Sequence, residues 1–255
     1  DEDIRQELQA LIDGDPATLA ERFGGRLTFG TAGLRAAVGA GPMRMNRLVV
    51  RQAAAGMASY LTGSDPRAAE RGVVIGYDVR PKSDLFAEDT ARVMAAAGLK
   101  TMLLPDPLPT PVLAWSITEL GAAAGVMVTA SHNPPADNGY KVYLGDGSQI
   151  VPPADAAISA AIDAVGPLAS VPVAADDDPR IVLAGDALVE AYVAGALATA
   201  TPPGPERDLR VVYTPLHGVG RDVLAEVLTR AGFPPPSVVP AQADPDPAFP
   251  TVAFP

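Results

Sequence analysis

Short apolar runs alternate with longer amphipathic segments along most of this chain, and that alternation restricts what the chain can fold into. The apolar runs predict strands, which cover residues 73–79, 101–104, 125–128, 141–144, 209–213 and 237–239. The amphipathic segments predict helices at residues 4–12, 16–23, 82–97, 109–120, 154–165, 186–199 and 221–231. A further helix begins after Asn46, a good N-cap residue, and runs to about Leu61. Strands that alternate with helices of this length favour layered α/β domains.

The composition changes after residue 166, which predicts a boundary between two domains. Residues 167–182 contain three prolines and the run Asp176-Asp177-Asp178, as is typical of a linker over a surface. We therefore expect a first α/β domain at residues 1–166, a linker at 167–182 and a second α/β domain at 183–255. The last sixteen residues carry five prolines and no periodicity. We expect the chain to stop part-way through the second domain, which is then incomplete.

The charge of the chain and the residue types that it lacks exclude several kinds of protein. Acidic residues outnumber basic ones by 30 to 19, so the formal charge is −11, and such a surface repels nucleic acid. No apolar run approaches the ~18 residues of a membrane-spanning helix, and Asp1 to Asp3 is unlike the start of a signal peptide. The absence of cysteine excludes disulfides and thiolate chemistry. We expect a cytoplasmic protein that binds neither nucleic acid nor membrane.

The segment from Thr129 to Lys141 carries the side chains with the most varied chemistry. An apolar strand ends there and delivers Ser131, His132 and Asn133 into a loop that two prolines stiffen, and a return strand carries Lys141. Sites on α/β sheets form outside the carboxyl ends of strands, which favours a functional loop. Serine, asparagine and proline are also ordinary turn residues, so a hairpin without function stays open as an alternative.

Two kinds of chemistry could use Ser131. A serine hydrolase is disfavoured because Ser131 and His132 are adjacent, so on an extended strand end their side chains would point to opposite faces. No Gly-x-Ser-x-Gly elbow surrounds the serine either. A serine that carries a phosphoryl group remains, and its charge of about −2 would require cations nearby. The candidate cations all lie close to glycine-rich or proline-rich turns and are Arg35, Arg44, Arg80, Lys82 and Lys141.

Arg35 lies in residues 28–42, a segment that four glycines interrupt. We interpret this segment as a loop rather than a regular element. Because glycine has no side chain, backbone N–H groups in such a loop can approach an oxyanion closely. Arg35 is therefore a candidate for contact with phosphate or with a sugar ring.

Four segments, in this order along the chain, resemble landmarks of the α-D-phosphohexomutase superfamily, which includes phosphoglucomutases and phosphomannomutases. Residues 129–141 resemble its phosphoserine loop, and residues 29–35 (FGTAGLR) its N-terminal substrate loop. Residues 76–80 (GYDVR) are similar to its strand-end Asp-x-Arg segment, and residues 213–220 (YTPLHGVG) to a turn of its second domain. Four ordered motifs are specific where each alone would be weak. Residues 29–35 and 215–218 most resemble the branch that contains phosphopentomutase-like phosphoglucomutases and some bacterial phosphomannomutases.

The resemblance implies a layered α/β/α first domain with a mixed sheet, followed by a second α/β domain of similar type. It implies an intramolecular phosphotransferase that interconverts sugar 1-phosphates with sugar 6-phosphates, or with 5-phosphates for pentoses, through a phosphoserine and a sugar bisphosphate. The expected partners are sugar phosphates and a sugar bisphosphate. The expected cofactor is Mg²⁺, bound to the phosphate on Ser131. The preferred sugar and the oligomeric state stay open.

Carried onto this sequence, the resemblance makes Ser131 the phosphoryl carrier. Lys141 becomes a general acid/base or a cation that stabilises phosphate, and His132 and Arg35 are further catalytic candidates. The residues expected to bind substrate are Thr31, Gly33, Arg35, Asn133 and Arg80. For Arg80 a purely stabilising role beside Asp78 is equally open, and we expect His217 to be structural.

The sequence departs from the superfamily because its Asp-x-Asp-x-Asp-Arg metal loop and its third and fourth domains do not occur in these residues. We therefore expect the chain to correspond to the N-terminal portion of such an enzyme, to bind Mg²⁺ weakly and to lack turnover by itself. A non-catalytic sugar-phosphate-binding module built on the same loops is the main alternative function, and a serine hydrolase that uses Ser131 is the other.

Overall fold

The first part of the chain folds around one mixed sheet. The structure is a computed structural model that describes residues 1–199 and 207–252. Six strands lie in the order β1-β5-β4-β2-β3-β6. They are β1 (Leu34–Ala37), β2 (Val73–Tyr77), β3 (Thr101–Leu103), β4 (Ala124–Val128), β5 (Asp137–Leu144) and β6 (Ile181–Leu183). β2, β3, β4 and β6 run parallel, whereas β5 is antiparallel to both β4 and β1, so the predicted mixed sheet is confirmed.

Helices cover both faces of this sheet. The helices of the first part are α1 (Glu2–Ile12), α2 (Pro16–Phe23), α3 (Arg47–Ser64), α4 (Ala68–Arg71), α5 (Ser83–Ala96), α6 (Thr110–Glu119) and α7 (Ala154–Asp163). Val73 and Ile75 of β2 join the core under α3, α5 and α7, whereas Val74 joins a second core under α6. A strand that is buried on both faces shows this alternation. The layered α/β/α architecture is therefore confirmed.

Asn46 caps α3 as its sequence position predicts. Its side-chain oxygen accepts a hydrogen bond from the Val49 N–H at 3.1 Å, which satisfies one of the unpaired amides of the first turn. Its Nδ2 donates to the carbonyls of Gly39 and Gly41, so the cap also fixes the preceding glycine-rich turn. α3 is 18 residues long. Across residues 1–199 and 207–252, α3 included, no helix has the length and apolar character needed to cross a membrane.

The second part of the chain forms a smaller α/β unit. It contains α8 (Asp186–Thr199), β7 (Val212–Tyr213), α9 (Arg221–Arg230) and β8 (Ser237–Val238), and its two strands pair in parallel. α8 packs against α9 and also against α6 of the first part. At that second contact the rings of Trp115 and Tyr192 meet edge to face, with centroids 5.7 Å apart. α8 therefore joins the two units.

Two predictions about the chain's organisation need correction. Residues 28–42, predicted as a loop, contain β1, a short edge strand whose residues pair with β5. The predicted linker at 167–182 ends too late, because β6 begins at Ile181 and pairs with β3 in the first sheet. Three-residue and four-residue strands at a sheet edge carry too few residues for alternation to be visible in sequence. The limits 1–166 and 183–255 for the two domains otherwise stay a prediction.

Candidate active site

Ser131 lies at the carboxyl end of the parallel strands. β2 and β4 end side by side, with Tyr77 opposite Val128, and the loop that follows β4 carries Ser131. Ser131 is exposed and has a φ of 58°, a left-handed conformation that is uncommon outside glycine. Such a conformation persists only where surrounding contacts stabilise it. Two sets of hydrogen bonds do so here.

Asp78, directly after β2, makes the first set. Its carboxylate accepts hydrogen bonds from the Thr129 hydroxyl at 2.6 Å and from the Ser83 hydroxyl at 2.8 Å. The Thr129 hydroxyl oxygen in turn accepts from the Ser131 N–H at 3.0 Å. Asp78 thus reaches the backbone of Ser131 through one side chain. Asp78 was not among the predicted site residues, although its place in the strand-end Asp-x-Arg segment was a usable signal.

Arg80 makes the second set. Its Nη2 donates to the carbonyls of Ser131 and Asn133, both at 2.8 Å. Its Nη1 donates to the carbonyls of Pro134 and Asp137, at 2.8 and 3.1 Å. The side chain is fully buried, and both terminal nitrogens are occupied by the loop backbone. Of the two roles predicted for Arg80, these contacts favour the one in which it stabilises the loop, and its binding to substrate stays a prediction.

Arg35 and Lys141 lie on one face of the sheet beside the loop. Arg35 on β1 is paired with Gly139 on β5, and Lys141 is two residues further along β5. Residues two apart on a strand share a face, so the two cations are diagonal neighbours. Arg35 Nη1 donates to Asn133 Oδ1 at 2.9 Å, and Asn133 Nδ2 donates to Asp137 Oδ2 at 2.8 Å. The structure thus brings three of the predicted site residues, Arg35, Asn133 and Lys141, to the Ser131 loop.

The electrostatic setting of Lys141 is unusual for a lysine. Burial lowers its pKa most, and the positive charges of Arg35 and Arg80 lower it further, while Asp78 acts in the opposite direction. A lysine whose pKa is lowered by burial and by neighbouring cations is suited to proton transfer or to binding an anion. Lys141 therefore meets the electrostatic requirement of either role predicted for it.

His132 is placed differently from the expectation. Because Ser131 has a positive φ, the two adjacent side chains do not point to opposite faces, and Ser131 Oγ is 3.4 Å from His132 Nδ1. The geometric reason given against a serine hydrolase is therefore wrong. The distance is nevertheless longer than an ordinary hydrogen bond from a hydroxyl, and His132 is exposed. The pair lacks the close serine–base contact that activates a serine nucleophile.

Thr31 and Gly33 form a tight turn before β1. The Gly33 N–H donates to the Gly30 carbonyl at 2.8 Å, so this amide is not available to a ligand. Gly33 has a φ of 75°, and a Cβ there would lie 1.9 Å from the Tyr140 carbonyl oxygen. Packing therefore accounts for the glycine at this position, and the predicted role of Gly33 in substrate binding stays a prediction. Thr31 is exposed at the turn, where its carbonyl accepts from Gln149 at 2.8 Å.

The two remaining candidate cations pair with acidic side chains elsewhere. Arg44 binds Glu21 at 2.7 Å. Lys82 binds the carboxylates of Asp1 and Asp3, at 3.0 and 2.7 Å. Neither contact involves the Ser131 loop.

A cleft of about 280 Å³ opens between the Ser131 loop and the second unit. The first unit contributes Asp78, Thr129, Ser131 and the start of α6 to its walls, and the second contributes residues 215, 216, 218–220 and Phe249. His217 is buried in that turn, has a φ of 64°, and its Nε2 is 2.9 Å from Thr251 Oγ1. The geometry of His217 fits the structural role predicted for it.

Comparison with known proteins shows the family to which this chain belongs. Residues 26–167 match the family model "Phosphoglucomutase/phosphomannomutase, alpha/beta/alpha domain I", and residues 190–255 match domain II of the same family. The chain belongs to the phosphoglucomutase/phosphomannomutase family. Both matched regions agree with the layered architecture and with the order of the four motifs, so the resemblance inferred from sequence is confirmed.

Relatives within this family carry several names. A "Probable phosphomannomutase" of Haemophilus influenzae is 52% identical over 84% of this chain and 43% of its own length. A "Probable phosphoribomutase" of Schizosaccharomyces pombe is 41% identical over 100% of this chain and 45% of its own length. A phosphopentomutase of Mus musculus is 37% identical over 97% of this chain and 42% of its own length. The chain thus spans less than half the length of these relatives.

A solved structure of the family agrees with the fold. The crystal structure of a "putative phosphomannomutase" from Thermus thermophilus superposes with a TM-score of 0.73. The two proteins are 30% identical, and the match covers 90% of this chain and 48% of the other. The phosphoglucomutase/phosphomannomutase fold therefore includes both units of this chain.

The oxygen donors near Ser131 decide whether this part of the chain could bind the predicted Mg²⁺. Members of the family generally depend on Mg²⁺. Within the two described ranges, however, no group of three or more His, Asp or Glu side chains is placed to bind a metal ion. Mg²⁺ prefers octahedral oxygen coordination, and Ser131 with Asp78 nearby does not supply it. The described residues therefore do not by themselves form a site for the ion.

Proposed function

We propose that this chain carries the phosphoserine half of a sugar-phosphate mutase, in which Ser131 holds the phosphoryl group between turnovers. The reaction would interconvert a sugar 1-phosphate with a sugar 6-phosphate, or with a 5-phosphate for a pentose. The observation that carries the proposal is Ser131 itself, exposed in a left-handed conformation at the strand ends beside Arg35 and Lys141. Family membership supports it, since the relatives include phosphomannomutases and phosphopentomutases.

The chemistry requires two phosphoryl transfers, one from Ser131 to the sugar and one from the sugar bisphosphate back to Ser131. The Ser131 Oγ–P bond breaks as a sugar hydroxyl oxygen bonds to phosphorus; a base takes the proton of that hydroxyl, and the departing Ser131 oxygen takes up a proton to become a free hydroxyl. In the return step Ser131 Oγ loses this proton as it bonds to the phosphorus of the other phosphate, the bond between that phosphorus and its sugar oxygen breaks, and the released sugar oxygen takes up a proton. Positioning and charge stabilisation do most of the work in such transfers. Arg35 would bind phosphate oxygens, and Lys141 would either move the proton or stabilise the phosphate.

The proposal is tested by phosphoryl uptake, which is one half-reaction, rather than by the complete turnover that the chain is not expected to show by itself. The chain is incubated with glucose 1,6-bisphosphate, and intact mass and peptide mapping then locate any added phosphoryl group. One group on Ser131 supports the proposal. Binding of the sugar phosphate without modification favours the alternative, a non-catalytic sugar-phosphate-binding module. Labelling of Ser131 by a fluorophosphonate, without phosphoryl uptake, favours a serine hydrolase.

Arg35→Gln is expected to slow phosphoryl uptake by Ser131 about tenfold or more, because one fixed cation facing the phosphate is lost. The free energy of unfolding is expected to change by less than about 1 kcal/mol, since Arg35 is only half-buried and makes a single side-chain hydrogen bond. Rates of uptake and urea denaturation measure the two effects. Arg44→Gln is the matched control, because Arg44 pairs with Glu21 away from the loop. Uptake at the parent rate in Arg35→Gln would remove Arg35 from the site.

Lys141→Met is expected to change the pH dependence of stability. Because the pKa of Lys141 is lowered in the folded chain, there is a pH interval between that lowered pKa and the ordinary lysine pKa of about 10.4 in which the unfolded chain binds a proton that the folded chain lacks. The parent's free energy of unfolding therefore increases as the pH rises through this interval. The Met variant lacks this increase because it has no amine at this position. The difference between variant and parent should shift in favour of the parent as the pH rises.

Urea denaturation at neutral and alkaline pH measures this difference. Lys100→Met, at an exposed position, controls for the loss of a lysine as such. A stability difference between Lys141→Met and the parent that stays constant with pH would contradict the prediction.

A further inference from the structure

Arg80 keeps a positive charge in a fully buried position. Its side chain has no exposed surface, and its two terminal nitrogens donate to four loop carbonyls, including that of Ser131. Its Nε lies 3.5 Å from Asp78 Oδ2 without forming a hydrogen bond. A buried cation requires compensation for its lost hydration, and one carboxylate at this distance supplies only part of it.

Phe249 of the second unit covers this guanidinium. Arg80 Cζ lies 5.1 Å from the centroid of the Phe249 ring, which is within the range of a cation–π contact. Phe249 is itself buried and lines the same cleft as Ser131. The ring therefore both excludes water from Arg80 and attracts its charge.

The turn around His217 fixes the position of Phe249. The His217 N–H donates to the Gln242 carbonyl at 3.1 Å, and the His217 carbonyl accepts from the Asp246 N–H at 3.0 Å. The Phe249 N–H then donates to the Asp246 carbonyl at 3.1 Å. A continuous set of backbone hydrogen bonds thus connects the buried histidine to the ring that contacts Arg80.

We propose that Phe249 is a positioning residue for Ser131 and acts through Arg80. The inference rests on the proposed role of Ser131 as phosphoryl carrier. The ring keeps the guanidinium dry and oriented, and the guanidinium keeps the loop carbonyls in the arrangement that gives Ser131 its left-handed conformation. The second unit therefore controls the order of a loop that belongs to the first.

Two variants of Phe249 separate the aromatic contact from simple burial. Phe249→Leu keeps an apolar side chain but removes the ring, whereas Phe249→Tyr keeps the ring. In the full 255-residue chain, Phe249→Leu is expected to speed hydrogen exchange of the amides in residues 129–137 about tenfold, because a desolvated cation–π contact is lost. It is expected to slow phosphoryl uptake by Ser131 by a similar factor. Phe249→Tyr should retain parent values for both.

Phe233→Leu is the matched control, because that ring also contacts an arginine, with Arg207 Cζ 4.7 Å from its centroid, away from the loop. It should leave exchange in residues 129–137 unchanged. Parent-like exchange in Phe249→Leu, or an equal increase in Phe233→Leu, would overturn the proposal. If Phe249→Leu does not fold, Phe249→Met is measured in the same way. If even the parent takes up no phosphoryl group, the proposed function fails, while the exchange data still decide whether Phe249 orders the loop.

Discussion

Ser131→Ala is expected to lose phosphoryl uptake from glucose 1,6-bisphosphate by more than about a thousandfold, because the oxygen that bonds to phosphorus is gone. The loop should survive the change. Thr129 accepts from the Ser131 N–H, and Arg80 donates to the Ser131 carbonyl, so the contacts that fix this residue are made by its backbone. Intact mass against time measures uptake, and circular dichroism checks the fold.

Ser148→Ala is the matched control for the loss of a hydroxyl. Ser148 is exposed in the turn after β5, and its backbone N–H binds Asp146. This variant should take up the phosphoryl group at the parent rate. A phosphoryl group that appears on Ser131→Ala as fast as on the parent would assign the carrier to another residue.

Long, periodic elements of this fold could be predicted from the sequence. α3, α5 and α8 begin and end within a few residues of their predicted bounds, because each combines apolar periodicity with a recognisable start or stop. The edge strands β1 and β6 could not be predicted in the same way. Their pairing with β5 and β3 is long-range, and a segment of three or four residues is too short to show a pattern that predicts such pairing.

The site shows a similar division. The strand-end position of the Ser131 loop follows from the sequence pattern, because an apolar strand that runs into a polar loop is visible there. The positive φ of Ser131 is not visible, since it depends on Asp78, Thr129 and Arg80, which come from two different strand ends. For that reason the prediction that Ser131 and His132 point to opposite faces was wrong. The sequence also could not show whether Arg80 stabilises the loop or binds substrate, because its contacts with the loop carbonyls join two segments that are far apart in the chain.

Arg80→Met is expected to lower the free energy of unfolding by about 3–5 kcal/mol, because a buried cation that serves as the hydrogen-bond donor to several loop carbonyls is removed. Methionine fills much of the volume but donates no hydrogen bond, so four loop carbonyls lose their partner and Asp78 loses its neighbouring charge. Phosphoryl uptake by Ser131 should fall as well, because the loop loses its fixed conformation. Urea denaturation measures the first effect and intact mass the second.

Two further variants make the Arg80 result specific. Arg180→Met removes an arginine that is paired with Asp178 at the surface, where solvent screens the pair, and should leave the free energy of unfolding close to that of the parent. Arg80→Lys keeps the charge but replaces the planar fork with a single ammonium, which cannot reach four carbonyls with the same geometry. Its stability should therefore lie between those of the parent and Arg80→Met.

If Arg80→Met were as stable as the parent, the loop conformation would not depend on Arg80. The left-handed backbone of Ser131 would then depend on its amide contact with the Thr129 hydroxyl, which is itself hydrogen-bonded to Asp78.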